Sequence, residues 1–348
     1  MQDILLKIKE AGLVGRGGAN FPTATKWETV KNTRGDKKYV ICNASEGEPG
    51  VRKDLFILEN HADKVINGMK IAMEFISAEK GYIYLNPKYY FKLSRKLKKL
   101  IKGTGIELFK KDHMAGYAGG EESAAVNHIE GERVEPRLKP PFIATIGLWN
   151  YPTIVNNVET FYNVSLVAVD KYEKKRFVTI SGDCPNEGVF YFDETLPIEK
   201  ILHETSNYPK FKFFVQIGGD ASGVVLNEMQ LNQPVSGAGS ITIYSLTKHN
   251  PLDLMRRWAY FFSNESCGQC TPCREGTYRL KEMLKRKNID WQLVAEIINS
   301  LDESSFCGLG GAVPMPFRSY VKNVVVNSSD NEIKLPAVTR ENIRKKFK

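Results

Sequence analysis

The sequence has no run of apolar residues long enough for a membrane-spanning helix, which needs about 20 of them. Its start, MQDILLKIKE, has an early acidic residue and no apolar block, so we expect no secretory signal there. These two absences argue against an integral membrane protein and against a secreted one. They predict a chain that is soluble or bound peripherally to a membrane.

Histidine and cysteine are also scarce, with five and six residues in a chain of 348. The spacing of His113, His128 and His203 is not that of a metal site, so we expect structural or exposed roles for them. The cysteines do not form the dispersed framework of a small disulfide-rich secreted protein. We therefore expect a reducing cytoplasm, with Cys42 and Cys184 as buried structural thiols.

Basic residues outnumber acidic ones by 49 to 40, which leaves a net charge of +9. They concentrate in KLSRKLKKLIK, which begins at Lys92, and in the C-terminal RENIRKKFK. Leucines recur at helical spacing in the first run, which predicts an amphipathic helix with a solvated basic face. A nucleic-acid surface would interleave aromatic residues among the basic ones, and this run has none. The charge therefore does not favour nucleic-acid binding.

The order of predicted elements divides the chain into three parts. The strand patterns KKYVICNAS and GYIYLN alternate with helical patterns, which predicts an α/β domain over residues 1–168. Short strands between Gly, Asn and Pro turns predict a small β-grasp-like α+β domain over residues 169–249. Successive helical patterns then predict a helical bundle over residues 250–348.

Four cysteines have the spacing of an iron–sulfur site. In ESCGQCTPCREG, two residues separate Cys267 from Cys270 and Cys270 from Cys273, and Cys307 follows later in FCGLGG. A [4Fe–4S] cluster needs four thiolates at the corners of a cube, and such a triplet supplies three from one loop. The alternative, a four-thiolate zinc site, usually pairs two C-x2-C knuckles. The spacing favours the cluster over zinc.

A glycine-rich loop, GRGGANFPTATKW, precedes the first predicted strand. Gly15, Gly17 and Gly18 remove side chains, so that backbone N–H groups can approach an anion such as phosphate. The loop is not a dinucleotide fingerprint, since Asn20 replaces the third glycine, and no Walker lysine follows. By itself it would be a surface turn. The segments CNASEGEPG, YAGGEESAAVNHIEGE and TIVNNVET are expected to be further polar loops, and together the four predict a lined crevice.

These motifs carry a resemblance to a known family. In the order GRGGANFPTATKW, CNASEGEPG, YAGGEES, RLKPPF, TIVNNVET, ESCGQCTPCREG and FCG, they span nearly the whole chain. The sequence resembles the NADH-binding flavoprotein subunit of respiratory complex I and its soluble relatives in hydrogenases and formate dehydrogenases. The resemblance implies an FMN-binding α/β domain, a small β-grasp-like (SLBB-type) domain and a C-terminal helical bundle that carries the [4Fe–4S] cluster on Cys267, Cys270, Cys273 and Cys307.

The resemblance also implies which residues bind the nucleotides. The FMN positions are Gly15, Gly17, Gly18, Lys26, Asn43, Glu46, Tyr117, Gly120, Glu121, Asn156, Asn157 and Thr160. The NADH positions are Phe21, Glu48, Glu122, Lys139 and Phe142, where rings can stack on adenine and carboxylates can accept ribose hydroxyls. Core packing is the alternative for the two phenylalanines. No side chain is expected to act as a general acid or base, because hydride transfer needs none.

Some positions depart from the family pattern. Asn20 and Ala24 stand where glycines are usual, so backbone is expected to approach phosphate less closely. Ser45 replaces an aspartate, which removes a charge beside FMN, and Thr29 replaces a second stacking phenylalanine. Residues 86–89 read Asn-Pro-Lys-Tyr in place of Arg-Gly-Glu-Tyr. The absence of the second ring at Thr29 would lower the affinity for NADH, and the changes together are expected of a diverged or repurposed member.

The function that the resemblance implies is NADH oxidation within a larger oxidoreductase complex. Hydride would pass to FMN and single electrons to the cluster, because a flavin exchanges electrons singly or in pairs. The implied partners are a thioredoxin-like [2Fe–2S] subunit and further iron–sulfur subunits, in the cytoplasm or on the cytoplasmic side of a membrane. The alternatives are a hydrogenase or formate dehydrogenase subunit with another donor or acceptor, and a non-enzymatic interaction module stabilised by a cluster or zinc.

Overall fold

The structure of the protein is a computed structural model that describes residues 2–325. The basic segment RENIRKKFK lies outside the described residues. The first part of the chain alternates helices and strands. Its elements are α1 (Gln2–Glu10), α2 (Thr23–Asn32), β1 (Tyr39–Ala44), α3 (Lys53–Ile76), β2 (Lys80–Leu85), α4 (Pro87–Leu100), β3 (Ile106–Lys110), α5 (Glu122–Glu130), β4 (Thr153–Asn157) and α6 (Val158–Ala168).

The four strands form one parallel sheet in the order β3-β2-β1-β4. Both faces are covered, as expected of parallel strands. Val40 and Cys42 of β1 pack into the core beneath α3 and α6, whereas Tyr39 and Ile41 pack with α5 residues on the opposite face. The near-continuous apolar pattern of β1 therefore reflects burial on both sides.

Two segments that the sequence suggested were polar loops contain regular elements. TIVNN is strand β4, which pairs in parallel with β1, and its first four residues are buried. In the other segment, helix α5 starts at Glu122, and the Glu121 carboxylate caps it by accepting from the N–H groups of Ser123 and Ala124. The prediction of loops was wrong for these residues. Polar residues at a strand end or helix cap are easily read as loop.

The middle of the chain forms a second sheet. It contains β5 (Lys175–Gly182), β6 (Gly188–Asp193), α7 (Ile198–Glu204), β7 (Phe213–Ile217), β8 (Val224–Asn227) and β9 (Ser240–Ser245). The strand order is β6-β5-β9-β7-β8, with β5 and β9 parallel and the other pairs antiparallel. Helix α7 packs its apolar side chains Ile198, Ile201 and Leu202 against this sheet.

The described residues that follow β9 are mainly helical. They form α8 (Pro251–Glu265), α9 (Thr271–Met283), α10 (Trp291–Ser304), α11 (Gly308–Ala312), α12 (Pro314–Tyr320) and a π-helical turn (Val321–Val325). Trp258, Phe262 and Phe317 are fully buried at the centre of these helices. Among the residues 2–325, no helix combines the length and the apolarity that a membrane crossing requires.

Candidate functional site

The carboxyl ends of β1 and β4 bring the predicted polar segments together. These strands are parallel neighbours, and Asn43 at the end of β1 pairs in register with Asn157 at the end of β4. The glycine loop lies beside them, because a Cβ placed on Gly17 would be 3.5 Å from the Asn157 Cβ. Ligands of open α/β sheets bind at such an edge.

A cavity of about 980 Å³ opens at this edge. Its volume lies at the upper end of the range for small-molecule and cofactor sites, which is about 300–1,000 Å³. Among the predicted site residues, the structure places Gly15, Gly17, Gly18, Phe21, Lys26, Asn43, Glu46, Glu48, Tyr117, Gly120, Glu121, Glu122, Lys139, Phe142, Asn156 and Asn157 on its wall. Thr160 does not line it. The Thr160 hydroxyl instead accepts a 2.9 Å hydrogen bond from the Arg16 backbone N–H and so holds the glycine loop from behind.

The residues present on this wall fit an FMN molecule. Gly18 has φ +110°, a conformation that only glycine adopts readily, so the loop exposes backbone where other residues would strain. Beside it, Asn43 donates a 2.8 Å hydrogen bond to the Gly120 carbonyl and ties two cavity-lining segments together. Glycine backbone with amide side chains suits a phosphate and a heteroaromatic ring.

A buried charge network, which the sequence did not suggest, fixes Asn157. The Lys53 ammonium is 2.7 Å from Asp54 Oδ1 and 3.2 Å from Glu159 Oε2, and it donates to Asn157 Oδ1 at 3.0 Å. Asn157 Nδ2 donates to Asp54 Oδ2 at 2.6 Å. Burial opposes the charge, but Asp54, Glu159 and Glu46 hold the pKa of Lys53 above its ordinary value. The amide of Asn157 is thereby held in one orientation.

Glu46 lines the cavity, but its carboxylate is directed at the start of α3. It accepts hydrogen bonds from Asp54 N–H at 2.7 Å, Leu55 N–H at 3.1 Å and the Tyr89 hydroxyl at 2.5 Å. Burial, followed by the charge of Asp54, raises the pKa of Glu46 to about 7. The side chain thus holds the strand end to the helix start behind the cavity wall.

Glu48 joins the α/β sheet to the loop between β7 and β8. Glu48 Oε1 accepts from the backbone N–H groups of Ala221 and Ser222 at 3.0 and 2.9 Å, and Oε2 accepts from the Ser222 hydroxyl at 2.8 Å. Gly219 makes this approach possible, since a Cβ there would be 2.2 Å from Glu48 Oε1. Both carboxylate oxygens therefore already have protein donors.

Glu122 is more open to a ligand. Lys26 donates to Glu122 Oε2 at 2.8 Å and to the Val155 carbonyl at 3.0 Å. Lys139 pairs with Glu121 at 2.7 Å and lies 3.8 Å from Glu122. Glu122 lines the cavity, and 28% of its side chain is exposed. Two cations and two carboxylates at this rim form a balanced charge cluster.

The rings of Phe21 and Phe142 stand on the cavity rim with 50% and 56% of their surface exposed. The alternative that these residues are core packing is therefore wrong. Exposed aromatic rings beside carboxylates suit the adenine and ribose of a nucleotide.

The cavity wall also includes residues of the second sheet and of the C-terminal helices. Gly218 and residues 236–238 lie on one side, and a Cβ on Gly18 would be 4.0 Å from the Ala238 nitrogen. Cys307 and Gly308 lie on another side. The repeated glycines in IGGD and SGAG were a signal for close backbone approach, but nothing in the sequence indicated which loop they would meet.

Four cysteines gather at one end of the C-terminal helices. Cys267 and Cys270 lie on the loop between α8 and α9, Cys273 lies in the first turn of α9, and Cys307 caps α11; all four belong to one apolar cluster. Burial, with the neighbouring thiols of Cys270, Cys307 and Cys267, raises the pKa of Cys273 to about 12. Soft thiolates in an apolar setting suit an iron–sulfur cluster. Cys42 is fully buried in the first core, as expected, whereas Cys184 is only partly buried.

Within the described part of the chain, no group of three or more His, Cys, Asp or Glu side chains has the geometry to hold a single metal ion. The spacing of the four cysteines in the sequence, a close triplet followed by one remote residue, is what favours a cluster over zinc.

Comparisons with known proteins agree with this geometry. Residues 8–166 match the family described as the Nuo51 FMN-binding domain, and residues 253–325 match the NADH-ubiquinone oxidoreductase-F iron-sulfur binding region. The chain is 36% identical over 330 residues to the F subunit of the NADH-quinone oxidoreductase of Buchnera aphidicola subsp. Schizaphis graminum, covering 82% of this chain and 73% of that protein. It is 30% identical to the F 2 protein of the NADH-quinone oxidoreductase of Rhizobium meliloti, covering 92% and 86%.

Hydrogenase subunits are also similar. The chain is 31% identical to the alpha subunit of the NAD-reducing hydrogenase HoxS of Cupriavidus necator, covering 90% of this chain and 58% of that one. A chain in the structure of an air-oxidized NAD+-reducing [NiFe]-hydrogenase superposes with TM-score 0.87 and 28% identity, covering 98% of this chain. This chain spans 65% of that hydrogenase chain and 61% of its H2-reduced counterpart.

Proposed function

This chain belongs to the family of NADH-quinone oxidoreductase F subunits and their hydrogenase relatives, and from this membership we propose that it oxidises NADH. FMN, held by the glycine loop, Asn43 and Asn157, would supply the exchange between the paired electrons of a hydride and single electrons. A [4Fe–4S] cluster, held by Cys267, Cys270, Cys273 and Cys307, would supply one-electron acceptance. The protein binds, positions and shields the reactants.

The observation that carries this proposal is the position of Cys307. It is one of the four clustered cysteines, and it also lines the cavity that contains the glycine loop. A cofactor in that cavity would therefore lie beside a cluster ligand, as direct electron transfer requires. Cys267, Cys270 and Cys273 belong to the same apolar cluster and would complete the ligand set.

The loops around Gly17, Asn43, Glu121 and Asn157 would hold FMN. Their approach to one cavity supports this assignment, because four segments far apart in sequence meet there. The glycine loop offers backbone N–H groups to the phosphate, and Asn157, fixed by Lys53 and Asp54, offers its amide. Thr160 acts on the glycine loop through the Arg16 backbone.

NADH would bind at the cavity rim. Phe21 and Phe142 present exposed rings to adenine, and Glu122 accepts from ribose hydroxyls with Lys26 and Lys139 beside it. Glu48 takes a supporting role, since its oxygens hold the loop at Ser222. The carboxylates would repel the extra phosphate of NADPH.

The chain would act as one subunit of a larger complex. Its named relatives are subunits of NADH-quinone oxidoreductases and of hydrogenases, which supports iron–sulfur partners such as a thioredoxin-like [2Fe–2S] subunit. We assign residues 1–168 to FMN and NADH binding, 169–249 to a β-grasp-like (SLBB-type) domain and 250–348 to the cluster-bearing bundle, of which 326–348 lie outside the described residues. The site of action is the cytoplasm or the cytoplasmic side of a membrane.

A hydrogenase subunit is the second candidate, favoured by the 98% coverage of this chain in the hydrogenase superposition. The two candidate functions would have the same electron donor and would differ in the electron acceptor. Purification of the native complex from the source cells, followed by identification of its subunits, separates them. A nickel–iron subunit would identify the hydrogenase, and membrane subunits would identify the quinone reductase.

The visible spectrum of the anaerobically reconstituted chain tests NADH oxidation. FMN should bind with flavin bands near those of free FMN, and NADH should bleach them. A chain without FMN serves as the control for cluster absorbance. Failure to bind FMN, or bound FMN that NADH does not bleach, would contradict the proposal.

A further inference from the structure

Lys111 is a buried lysine close to the cavity wall. It follows strand β3, its backbone N–H donates to the Leu85 carbonyl at 2.9 Å, and only 4% of its surface is exposed. Its ammonium donates to the Ser45 hydroxyl at 2.7 Å. Among residues 2–325, no carboxylate lies within 4.0 Å of this ammonium.

The charge of Lys111 is therefore poorly compensated. Lys53, the other deeply buried lysine of this region, has the carboxylates of Asp54 and Glu159 at 2.7 and 3.2 Å. A buried charge without such a partner is costly in a low dielectric. Burial lowers the pKa of Lys111 to about 8, although the charge of Glu265 acts in the opposite direction. At pH 7 most molecules still carry the ammonium charge.

One layer of protein separates Lys111 from the proposed flavin site. Ser45, which receives its hydrogen bond, lines the cavity together with Asn43 and Gly120. A Cβ on Gly120 would lie 3.2 Å from the Ser45 hydroxyl oxygen, and a Cβ on Gly119 would lie 3.2 Å from Lys111 Cε. The ammonium is thus packed directly behind the wall that these residues form.

A serine at position 45 transmits this charge without cancelling it. The hydroxyl accepts from the ammonium, but it has no negative charge of its own. The neighbouring cavity wall is backbone and amide at Asn43 and Gly120. In a site of low dielectric, a charge one layer of protein away from the cavity acts strongly on whatever the cavity holds.

We propose that Lys111 is a positioning residue that acts through Ser45 as a fixed positive charge behind the flavin and raises its midpoint potential. This rests on the proposed function. Hydride carries two electrons and one proton, so NADH leaves as NAD+ and the flavin gains one negative charge. The ammonium attracts that charge and thereby stabilises reduced FMN relative to oxidised FMN. The chain would therefore draw hydride from NADH more readily than one without this cation.

The test is a potentiometric titration of the flavin in the reconstituted full-length chain. Lys111→Met removes the charge but keeps the length of the side chain, and Ser45→Asp places a carboxylate next to the ammonium. Each should lower the affinity for reduced relative to oxidised FMN by about tenfold, which is ~30 mV for a two-electron couple. Lys111→Arg retains the charge and should restore the wild-type potential. Lys98→Met, at an exposed lysine on α4, is the matched control and should leave it unchanged.

Two further results separate the possible failures. Oxidised FMN affinity is measured in every variant, and a merely structural role of Lys111 would weaken the binding of both redox forms equally, with no change in potential. If both Lys111→Met and Ser45→Asp bind FMN and neither has a lower flavin midpoint potential than the wild type, this inference alone is overturned. A wild-type chain that binds no FMN overturns the proposed function and this inference together. If Lys111→Met does not fold, Ser45→Asp still tests the inference.

Discussion

At the scale of single residues, the site depends on which charged groups already have protein partners. Glu46 and Glu48 have theirs, at the start of α3 and in the β7–β8 loop. Glu122 has one cation at 2.8 Å and otherwise faces the rim. Residue type alone does not separate the three glutamates. Their partners do, because both carboxylate oxygens of Glu46 and of Glu48 accept hydrogen bonds from protein donors.

The first prediction concerns Glu122, which should discriminate NADH from NADPH. Glu122→Gln removes the charge that repels a 2′-phosphate and frees Lys26 to attract one. The NADH preference should fall by on the order of 1 kcal/mol, the range of one charged hydrogen bond. The rate of flavin reduction, measured against the concentration of NADH and of NADPH, gives this preference. Glu132→Gln, at an exposed carboxylate beyond α5, is the control. An unchanged ratio would mean that Glu122 does not read the ribose.

The second prediction concerns Glu46 and pH. Its pKa is raised by burial from 4.5 to about 7, so the folded chain binds this proton more tightly than the unfolded chain. The free energy of unfolding should then decrease as pH rises from about 4.5 to about 7, and this contribution should level off above that. Glu46→Gln cannot titrate and should flatten the slope. Urea unfolding at several pH values checks this, and parallel pH profiles for the two proteins would contradict it.

At the scale of elements, a close helix crossing positions the site. Helix α3 begins with Lys53, beneath Asn157, and farther along it packs against α6. The contact is close at Gly68, where an added Cβ would lie 1.9 Å from the Phe161 carbonyl oxygen. The two helices that carry the charge network are thus held together by a glycine outside the cavity.

The third prediction follows from that crossing. Gly68→Ala should lower the free energy of unfolding by about 1–3 kcal/mol, because the methyl group forces the backbones apart. FMN should also be held less tightly, since the start of α3 carries Lys53. Lys70→Ala, at an exposed position on the same helix, should change stability by less than about 0.5 kcal/mol. Urea unfolding and FMN titration of both variants test this. Equal stability of the two variants would show that α3 and α6 move apart at Gly68 without loss of stability.

Elements with a local signal could be predicted from the sequence, and those that depend on distant partners could not. Strands β1 and β2 are apolar because both of their faces are buried, and the cysteine triplet lies on one loop. Strand β4 reads as a loop because its polar side chains have nonlocal partners, such as Trp27 Nε1 on Asn156 Oδ1 at 2.9 Å. Lys53 and Lys111 gave no signal for the same reason. Their hydrogen-bond partners, Asn157 for Lys53 and Ser45 for Lys111, lie 104 and 66 positions away in the sequence.

At the scale of the whole molecule, the cavity exists only where three parts of the chain meet. The glycine loop, the backbone around Gly218 and the segment from Cys307 each supply one side. Glu48 accepts from the Ser222 N–H and so joins the α/β part of the chain to the second sheet. Ser319 of α12 accepts from the Val225 N–H at 2.9 Å and so joins the second sheet to the C-terminal helices. A shift of any one part would therefore open the cavity and displace Cys307 from its wall.

The last prediction concerns Cys307, the residue shared by the cavity and the thiol group. Cys307→Ala should lose the cluster, because the thiolates of Cys267, Cys270 and Cys273 alone leave one corner of the cube without a ligand. NADH should still bleach bound FMN, since the glycine loop, Asn157 and Glu122 are untouched, whereas reduction of a one-electron acceptor through the cluster should fall.

Iron and sulfide content, flavin bleaching and acceptor reduction are measured together in anaerobically prepared protein. Cys184→Ala, a partly buried thiol of the second sheet, is the matched control and should keep full iron and sulfide content. Unchanged iron and sulfide in Cys307→Ala, or zinc as the only metal in the wild-type chain, would contradict the cluster assignment. Loss of both the cluster and flavin bleaching would instead mean that Cys307 supports the cavity wall itself, so that the two centres share a structural element as well as an electron path.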